Sequence, residues 1–143
     1  MGVGSSSTVS GYQMRVNGSL YANGNIVAYS DRRKKKNIVT IDDALDKVLQ
    51  LRGVYYERIE DETTDDRDIL FKGRQLGMIA QEVEDIVPEV VSYSEEVDEY
   101  GLDYPKMVGL LVEATKGQQE IINNQQNQIN ELKELVNKLM EKL

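Results

Sequence analysis

The sequence predicts an α+β fold: a small mixed domain with short β-strands, continued by a long C-terminal helix that forms a trimeric coiled coil. Three observations point that way. Residues 40–52, "TIDDALDKVLQLR", and the segment from Pro105 to Leu143 repeat apolar residues at helical spacing. The last 26 residues or so add an alternation of three and four, the seam of a coiled coil. Between and before these helices lie short β-prone runs bounded by turn residues, such as "VYYER" at 54–58.

Composition limits the chemistry before any motif is considered. A chain of 143 residues fits one domain, or one small domain with an appendage. Its 40% hydrophobic and 29% charged residues suit a folded chain rather than a disordered one. The net charge of -8 argues against nucleic acid as a partner, and no helix carries the basic residues needed to read a groove. Cys and His are both absent, which rules out thiol nucleophiles, disulfides, zinc-finger ligation and a Ser-His-Asp triad. No cofactor and no metal are expected. No apolar run reaches membrane-spanning length and no signal-peptide core precedes the domain, so no membrane partner is expected either. Any catalysis falls to Ser, Thr, Tyr, Lys, Asp or Glu.

The elements follow in order. Residues 1–8, "MGVGSSST", read as a flexible leader. Asn17-Gly18 and Asn23-Gly24 then separate alternating segments, Tyr12/Met14/Val16 and Ile26/Ala28; Asn-Gly accepts the positive φ of type I′ turns, so short strands are expected. Too sparse to bury a core alone, they fit a larger β structure or pairing with other chains. In the helix at 40–52, Thr40 is placed as cap and Asp42 and Asp43 complement the dipole, with Gly53 as the C′ residue. Ile41, Ala44, Leu45, Val48 and Leu49 form its apolar stripe.

Residues 60–68, "EDETTDDRD", read as a solvated loop that lacks the spacing and glycine of an EF-hand. A strand at 69–72 and a short helix over Ala80–Ile86 come next, with a break at Pro88. Glu89–Tyr93 and Leu102–Tyr104 are expected to pair across "SEEVDEYG". Ala44, Leu45, Val48, Leu49, Ile79, Val83 and Ile86 are assigned to the core, and Tyr55, Tyr56, Tyr93 and Tyr104 to strand packing.

Pro105 opens the final helix, in which Gly109 and Gly117 are its weak points. Ile122, Gln125, Ile129, Leu132, Val136, Leu139 and Leu143 occupy the a and d positions. β-branched residues at a with Leu at d lean towards a dimer. Ile121 and Leu135 at g widen the stripe towards three strands, and Gln118 and Gln125 at d set register. The alternative is a helix folded back on its own domain.

"AYSDRRKKKNIV" (28–39) sets five consecutive basic residues behind Ser30-Asp31 in an otherwise acidic chain. Taken with "GMIAQEVEDIVPEVV" and "LDYPKMVGLLVEATK" in that order, it resembles the intramolecular chaperone domain at the C-termini of bacteriophage tail spikes, fibres and neck appendages, the endosialidase-type self-cleaving chaperones. The resemblance covers residues 29 to about 117. Ser30, Asp31, Lys35, Asn37 and Ile38 fall on the family's Ser-Asp, its lysine five residues after the serine, and its Asn-Ile. The departures are Lys34 and Lys36, which flank the matching lysine, and "GQQ" after "EATK" in place of a Leu-rich run.

The resemblance implies a homotrimer that guides folding of the preceding fibre segment and then cuts itself off between Ser30 and Asp31. It implies that residues 1–30 end that β-rich segment, 31–114 form the chaperone and peptidase domain, and 115–143 form the coiled-coil helix. It also implies a virion fibre or spike precursor assembled in the host cytoplasm. A non-cleaving trimerisation clamp, or a receptor-binding tip, is the alternative.

A serine hydroxyl needs a base, and without histidine the candidate is a lysine. Lysine near its ordinary pKa of about 10.4 is charged, so like charges and desolvation have to favour its neutral form. Arg32, Arg33, Lys34 and Lys36 would supply the first, and a trimer interface the second. Ser30 cannot attack its own carbonyl, which would close a four-membered ring; attack on Tyr29 would cut before Ser30. A cut after Ser30 requires another chain's serine, an activated water or Asp31. Asn37, Gln81 and Glu82 are possible polar helpers.

Overall fold

The computed structural model describes residues 2–3, 14–16, 20–59 and 73–142. The chain divides into two compact units, Met1–Val39 with Leu51–Asp103, and Thr40–Gln50 with Tyr104–Leu143.

The first unit opens on β1 (Gly2–Val3) and β2 (Arg15–Val16), paired in parallel. The expected leader therefore contains a strand. The first Asn-Gly pair lies outside the described residues, as does Tyr12. At the second pair the expectation fails. Neither Asn23 nor Gly24 has a positive φ, and residues 20–31 hold no strand. A hairpin turn needs two flanking strands to close. Here Leu20, Tyr21, Ile26, Val27 and Tyr29 are all exposed.

After a single 3-10 turn at Arg32–Lys34, the unit resumes with β3 (Val54–Tyr56). Its antiparallel partner is β4 (Gln75–Gly77), with Val54 opposite Gly77 and Tyr56 opposite Gln75. The expected loop at 60–68 and strand at 69–72 lie outside the described residues, and β4 was not foreseen. Three residues containing Gln and Gly carry no alternating pattern, so only pairing with β3 makes them a strand. The Arg74 guanidinium lies 3.6 Å from the centre of the Tyr55 ring, a cation–π contact on the solvent side of this ribbon.

α2 spans Ala80–Glu84, shorter than the expected Ala80–Ile86. The carbonyl of Val83 accepts from both Ile86 N and Val87 N, and Val87, which precedes a proline, leaves helical geometry with φ -139° and ψ 69°. Pro88–Val90 makes a 3-10 turn into β5 (Val91–Ser94), which pairs antiparallel with β6 (Glu99–Leu102). The hairpin is as expected, but its strands are shifted: Val91 faces Leu102 and Tyr93 faces Tyr100. Asp98, at φ 53°, closes the turn and accepts from the Tyr93 hydroxyl at 2.5 Å. Among the described residues, Val83, Val87 and Val90 are the buried apolar side chains of this unit.

In the second unit, α1 spans Ala44–Gln50 rather than 40–52. Asp43 sits at φ 49°, a left-handed conformation that no helix interior tolerates, so Thr40 cannot be the cap. Instead the Asp43 carbonyl accepts the first helical bond, from Lys47 N at 2.9 Å. Gly53 is no C′ residue either; α1 ends three residues earlier and Gly53 has no positive φ.

Tyr104–Lys106 forms a 3-10 turn that leads into α3, 34 residues from Met107 to Met140. α1 packs on the first part of α3. Gly109 and Gly117, far from breaking α3, lie on the face that receives this packing. A methyl group on Gly117 would stand 3.6 Å from Leu45 Cβ, and one on Gly109 would stand 3.7 Å from Ile41 Cδ1. Ala44, Met107, Leu110 and Ala114 are buried. Leu49 and Ile79, assigned to the core, are instead exposed, while Leu45, Val48 and Ile86 are half-buried. Met107, Leu110 and Ala114 were missed because "MVGLLVEA" is apolar on more than one face. No helix of the described residues is long and apolar enough to cross a membrane.

Candidate functional site

Two surfaces carry chemistry beyond packing: the turn around Ser30 and the uncovered stripe of α3. The turn is built from its own short sequence. Asp31 is extended, at φ -67° and ψ 128°, and caps the 3-10 turn, its Oδ1 accepting from Arg33 N at 2.8 Å. The Asp31 carbonyl accepts from Lys34 N at 3.1 Å and the Arg32 carbonyl from Lys35 N at 3.0 Å. One tight turn thus folds residue 35 back towards residue 30. The Lys35 ammonium reaches the Ser30 hydroxyl, Nζ donating to Oγ at 2.7 Å. Asn37 follows at φ 53°, a conformation Asn accepts better than most residues.

Arg33 is the residue that sequence reading passed over as one more charge. Its Nε lies 3.1 Å from both carboxylate oxygens of Asp31, and its Nη2 lies 2.6 Å from Oδ2. The guanidinium and the Arg33 backbone N–H hold the Asp31 carboxyl below the usual carboxylate range. The spacing Asp-x-Arg behind a capping position was the available signal, and it was obscured by the four other cations.

The remaining expected helpers are occupied elsewhere or stand apart. Glu82 on α2 forms a two-pronged ion pair with Arg52, through Nη2 to Oε1 and through Nε to Oε2 at 3.1 Å. That hydrogen bonding lowers the Glu82 carboxyl. Gln81 lines an open cavity with Tyr56, Met78, Ile79, Tyr100 and Leu102. Among the described residues, Asn37, Gln81 and Glu82 make no hydrogen bond to Ser30 or Lys35. The structure thus forms two side-chain pairs within one turn, Ser30 with Lys35 and Asp31 with Arg33, and leaves Asn37, Gln81 and Glu82 outside both. Ser30 and Lys35 are both exposed to solvent.

The second surface runs along α3. Ile122, Ile129, Leu132, Val136 and Leu139 all lie between 45% and 62% exposed, as do Ile121 and Leu135 beside them. Counting back in sevens from Ile122 places Thr115 and Val108 at a, and from Gln125 places Gln118 and Leu111 at d. Val108, Leu111 and Val112 are likewise exposed, and with Thr115 and Lys116 they line one shallow apolar groove. The uncovered seam therefore begins near Val108, some ten residues before the point where the sequence pattern becomes obvious. α1 packs on the other side of the same helix, the side carrying Gly109 and Gly117.

Residues 30–92 match a peptidase family described as "Chaperone of endosialidase". The chain is also similar to the long tail fiber protein Gp37 of Enterobacteria phage K3 and to that of Enterobacteria phage T2. Each is 35% identical over 114 residues, covering 70% of this chain. The chain spans 8% of the length of each of these relatives.

Proposed function

We propose, from the premise that this chain belongs to the chaperone-of-endosialidase family through residues 30–92, that it is the intramolecular chaperone of a phage tail fibre or spike. In this reading three copies assemble through α3 and guide folding of the preceding fibre segment. They then release themselves by cutting between Ser30 and Asp31. The precursor assembles in the host cytoplasm and the fibre stays with the virion, while the chaperone part departs.

The single observation that carries the self-cleavage is the Lys35 Nζ to Ser30 Oγ hydrogen bond of 2.7 Å. A base must stand within hydrogen-bond reach of the proton it removes, and this one does. In its neutral form Lys35 accepts the Ser30 hydroxyl proton, and the nucleophile attacks the carbonyl carbon between residues 30 and 31. The carbon–nitrogen bond breaks and the proton passes to the Asp31 nitrogen. Water is consumed overall, leaving a carboxylate on Ser30 and an amine on Asp31. Because Ser30 Oγ cannot close a four-membered ring on its own carbonyl, the dyad activates either a water or the serine of a neighbouring chain. Assembly favours both, since shielding the exposed turn from solvent strengthens every polar interaction within it.

The trimer rests on the α3 seam. An apolar stripe of more than four helical turns, uncovered in a single chain, is what a coiled coil buries. The incomplete N-terminal strands fit the same reading, because the exposed apolar residues at 20–29 would find partners in adjacent copies.

The test is intact mass after denaturation, for the parent chain and for Ser30→Ala and Lys35→Ala. A fragment of residues 31–143 from the parent, lost in both variants, supports the reading. An intact parent under folded, assembled conditions refutes it and leaves a non-cleaving clamp or receptor-binding tip.

A further inference from the structure

We propose that Arg33 is a positioning residue for the self-cleavage described above, keeping the Asp31 carboxylate away from Lys35 so that the lysine stays with Ser30. This rests on the Ser30–Lys35 reading and adds a component to it. Two cations compete for one carboxylate within a single turn. Asp31 accepts from three donors of one residue, the Arg33 N, Nε and Nη2, at 2.8, 3.1 and 2.6 Å. Lys35, four residues from Asp31 and folded back by the same turn, donates to Ser30 instead.

The pairing matters because the two cations are not equivalent. An arginine cannot act as a base, so tying it to a carboxylate removes nothing from the chemistry. A lysine facing that carboxylate would be held in its charged form and could not accept the serine proton. The planar guanidinium also matches two carboxylate oxygens at once, which an ammonium does not. Along the chain the neighbours of Lys35 are Arg32, Lys34 and Lys36, all of its own sign, together with the Asp31–Arg33 pair, whose charges cancel. Among the described residues, no other ion pair or hydrogen bond reaches the Lys35 ammonium.

Two measurements on the full chain test this. The first is the rate of appearance of residues 31–143 by intact mass from pH 6 to pH 10, for the parent, Arg33→Gln, Arg33→Lys, Asp31→Asn and the double variant. Arg33→Gln should slow cleavage about tenfold at neutral pH and recover as pH rises, equivalent to a profile moved by about one unit. Arg33→Lys should fall between it and the parent. The double variant should match Asp31→Asn alone, because without the carboxylate there is nothing for Arg33 to hold. A loss in Arg33→Gln that is equal at every pH, or that persists in the double variant, would make Arg33 a merely structural part of the turn and overturn the proposal.

The second measurement is an NMR titration of the Lys35 side chain in a Ser30→Ala background, where nothing is cut. Replacing Arg33 by Gln should move the titration upward, and adding Asp31→Asn should move it back. If it moves while the parent never cleaves, the role of Arg33 stands and the peptidase reading falls. If the parent cleaves but the titration stays in place, the role of Arg33 falls and the dyad stands.

Discussion

Truncating Leu132 to alanine tests whether the stripe on α3 is an interface. Leu132 is 60% exposed in a single chain, in the middle of the seam. Full burial of a leucine side chain contributes about 2 kcal/mol, so roughly 1 kcal/mol per chain remains to be gained on assembly. Three chains raise this to roughly 3 kcal/mol, before any term for the cavity that the shorter side chain leaves. At about 1.4 kcal/mol per tenfold, Leu132→Ala should weaken association of the trimer by roughly two decades. Residues 107–117, on which α1 packs, are untouched, so the fold of the single chain should survive. Sedimentation equilibrium across the micromolar range, with helix content from circular dichroism, reads both quantities. An unchanged association constant would refute the reasoning, and so would a parent chain that is monomeric at every concentration.

Other outcomes follow from particular contacts. Gly117→Ala should stabilise the chain by about 1 kcal/mol, because the added methyl meets Leu45 Cβ at an ordinary 3.6 Å while removing the helix penalty of glycine; thermal melts at fixed protein concentration check it. The Arg33 and Arg52 pairings depress the folded-state ionisation of Asp31 and Glu82. Their contribution is therefore present above the ordinary carboxylate range and lost as pH falls through the depressed folded values. Melting temperature should drop below about pH 4, and Glu82→Gln should flatten that limb. Tyr93 shows the opposite sign. Its hydrogen bond to Asp98 raises its ionisation above the ordinary tyrosine value, so what it adds is present below about pH 10 and lost above. Tyr93→Phe should remove that alkaline dependence in the same melts. Finally, trimers mixed from parent and Ser30→Ala chains distinguish the two nucleophiles: cut Ser30→Ala chains would require a neighbour's serine, and uncut ones would place the activated water within each chain.

Much of the candidate site was legible because its spacing is local. Ser30 and Lys35 lie within six residues, and a single turn is enough to bring their side chains together. The seam of α3 was legible for a similar reason: heptad periodicity needs no partner to be visible. Glu82 was read as a helper, yet it pairs with Arg52 thirty positions away, a contact that no local pattern encodes. Of the tyrosines assigned to strand packing, Tyr93 does pack across the β5–β6 hairpin, its ring centre 4.8 Å from that of Tyr100, whereas Tyr104 lies in a 3-10 turn rather than a strand.

By itself, then, the sequence determined the class of fold, the long helix and its apolar repeat, the β5–β6 hairpin, and a serine placed one tight turn from a lysine. Each of these depends on neighbours in the chain, where spacing and backbone geometry already decide which side chains meet. Tertiary structure alone decided that α1 begins at Ala44 and that Gln75–Gly77 is a strand. It also decided that Gly109 and Gly117 accept a packed helix rather than break one. Those outcomes turn on a left-handed Asp43, on the pairing offered by β3 and on the space left beside α3, none of which exists until distant segments are brought together. The pairing of Asp31 with Arg33 rather than Lys35 is local instead, because every contact that makes it lies within residues 30–35, and it was obscured only by the run of like charges around it.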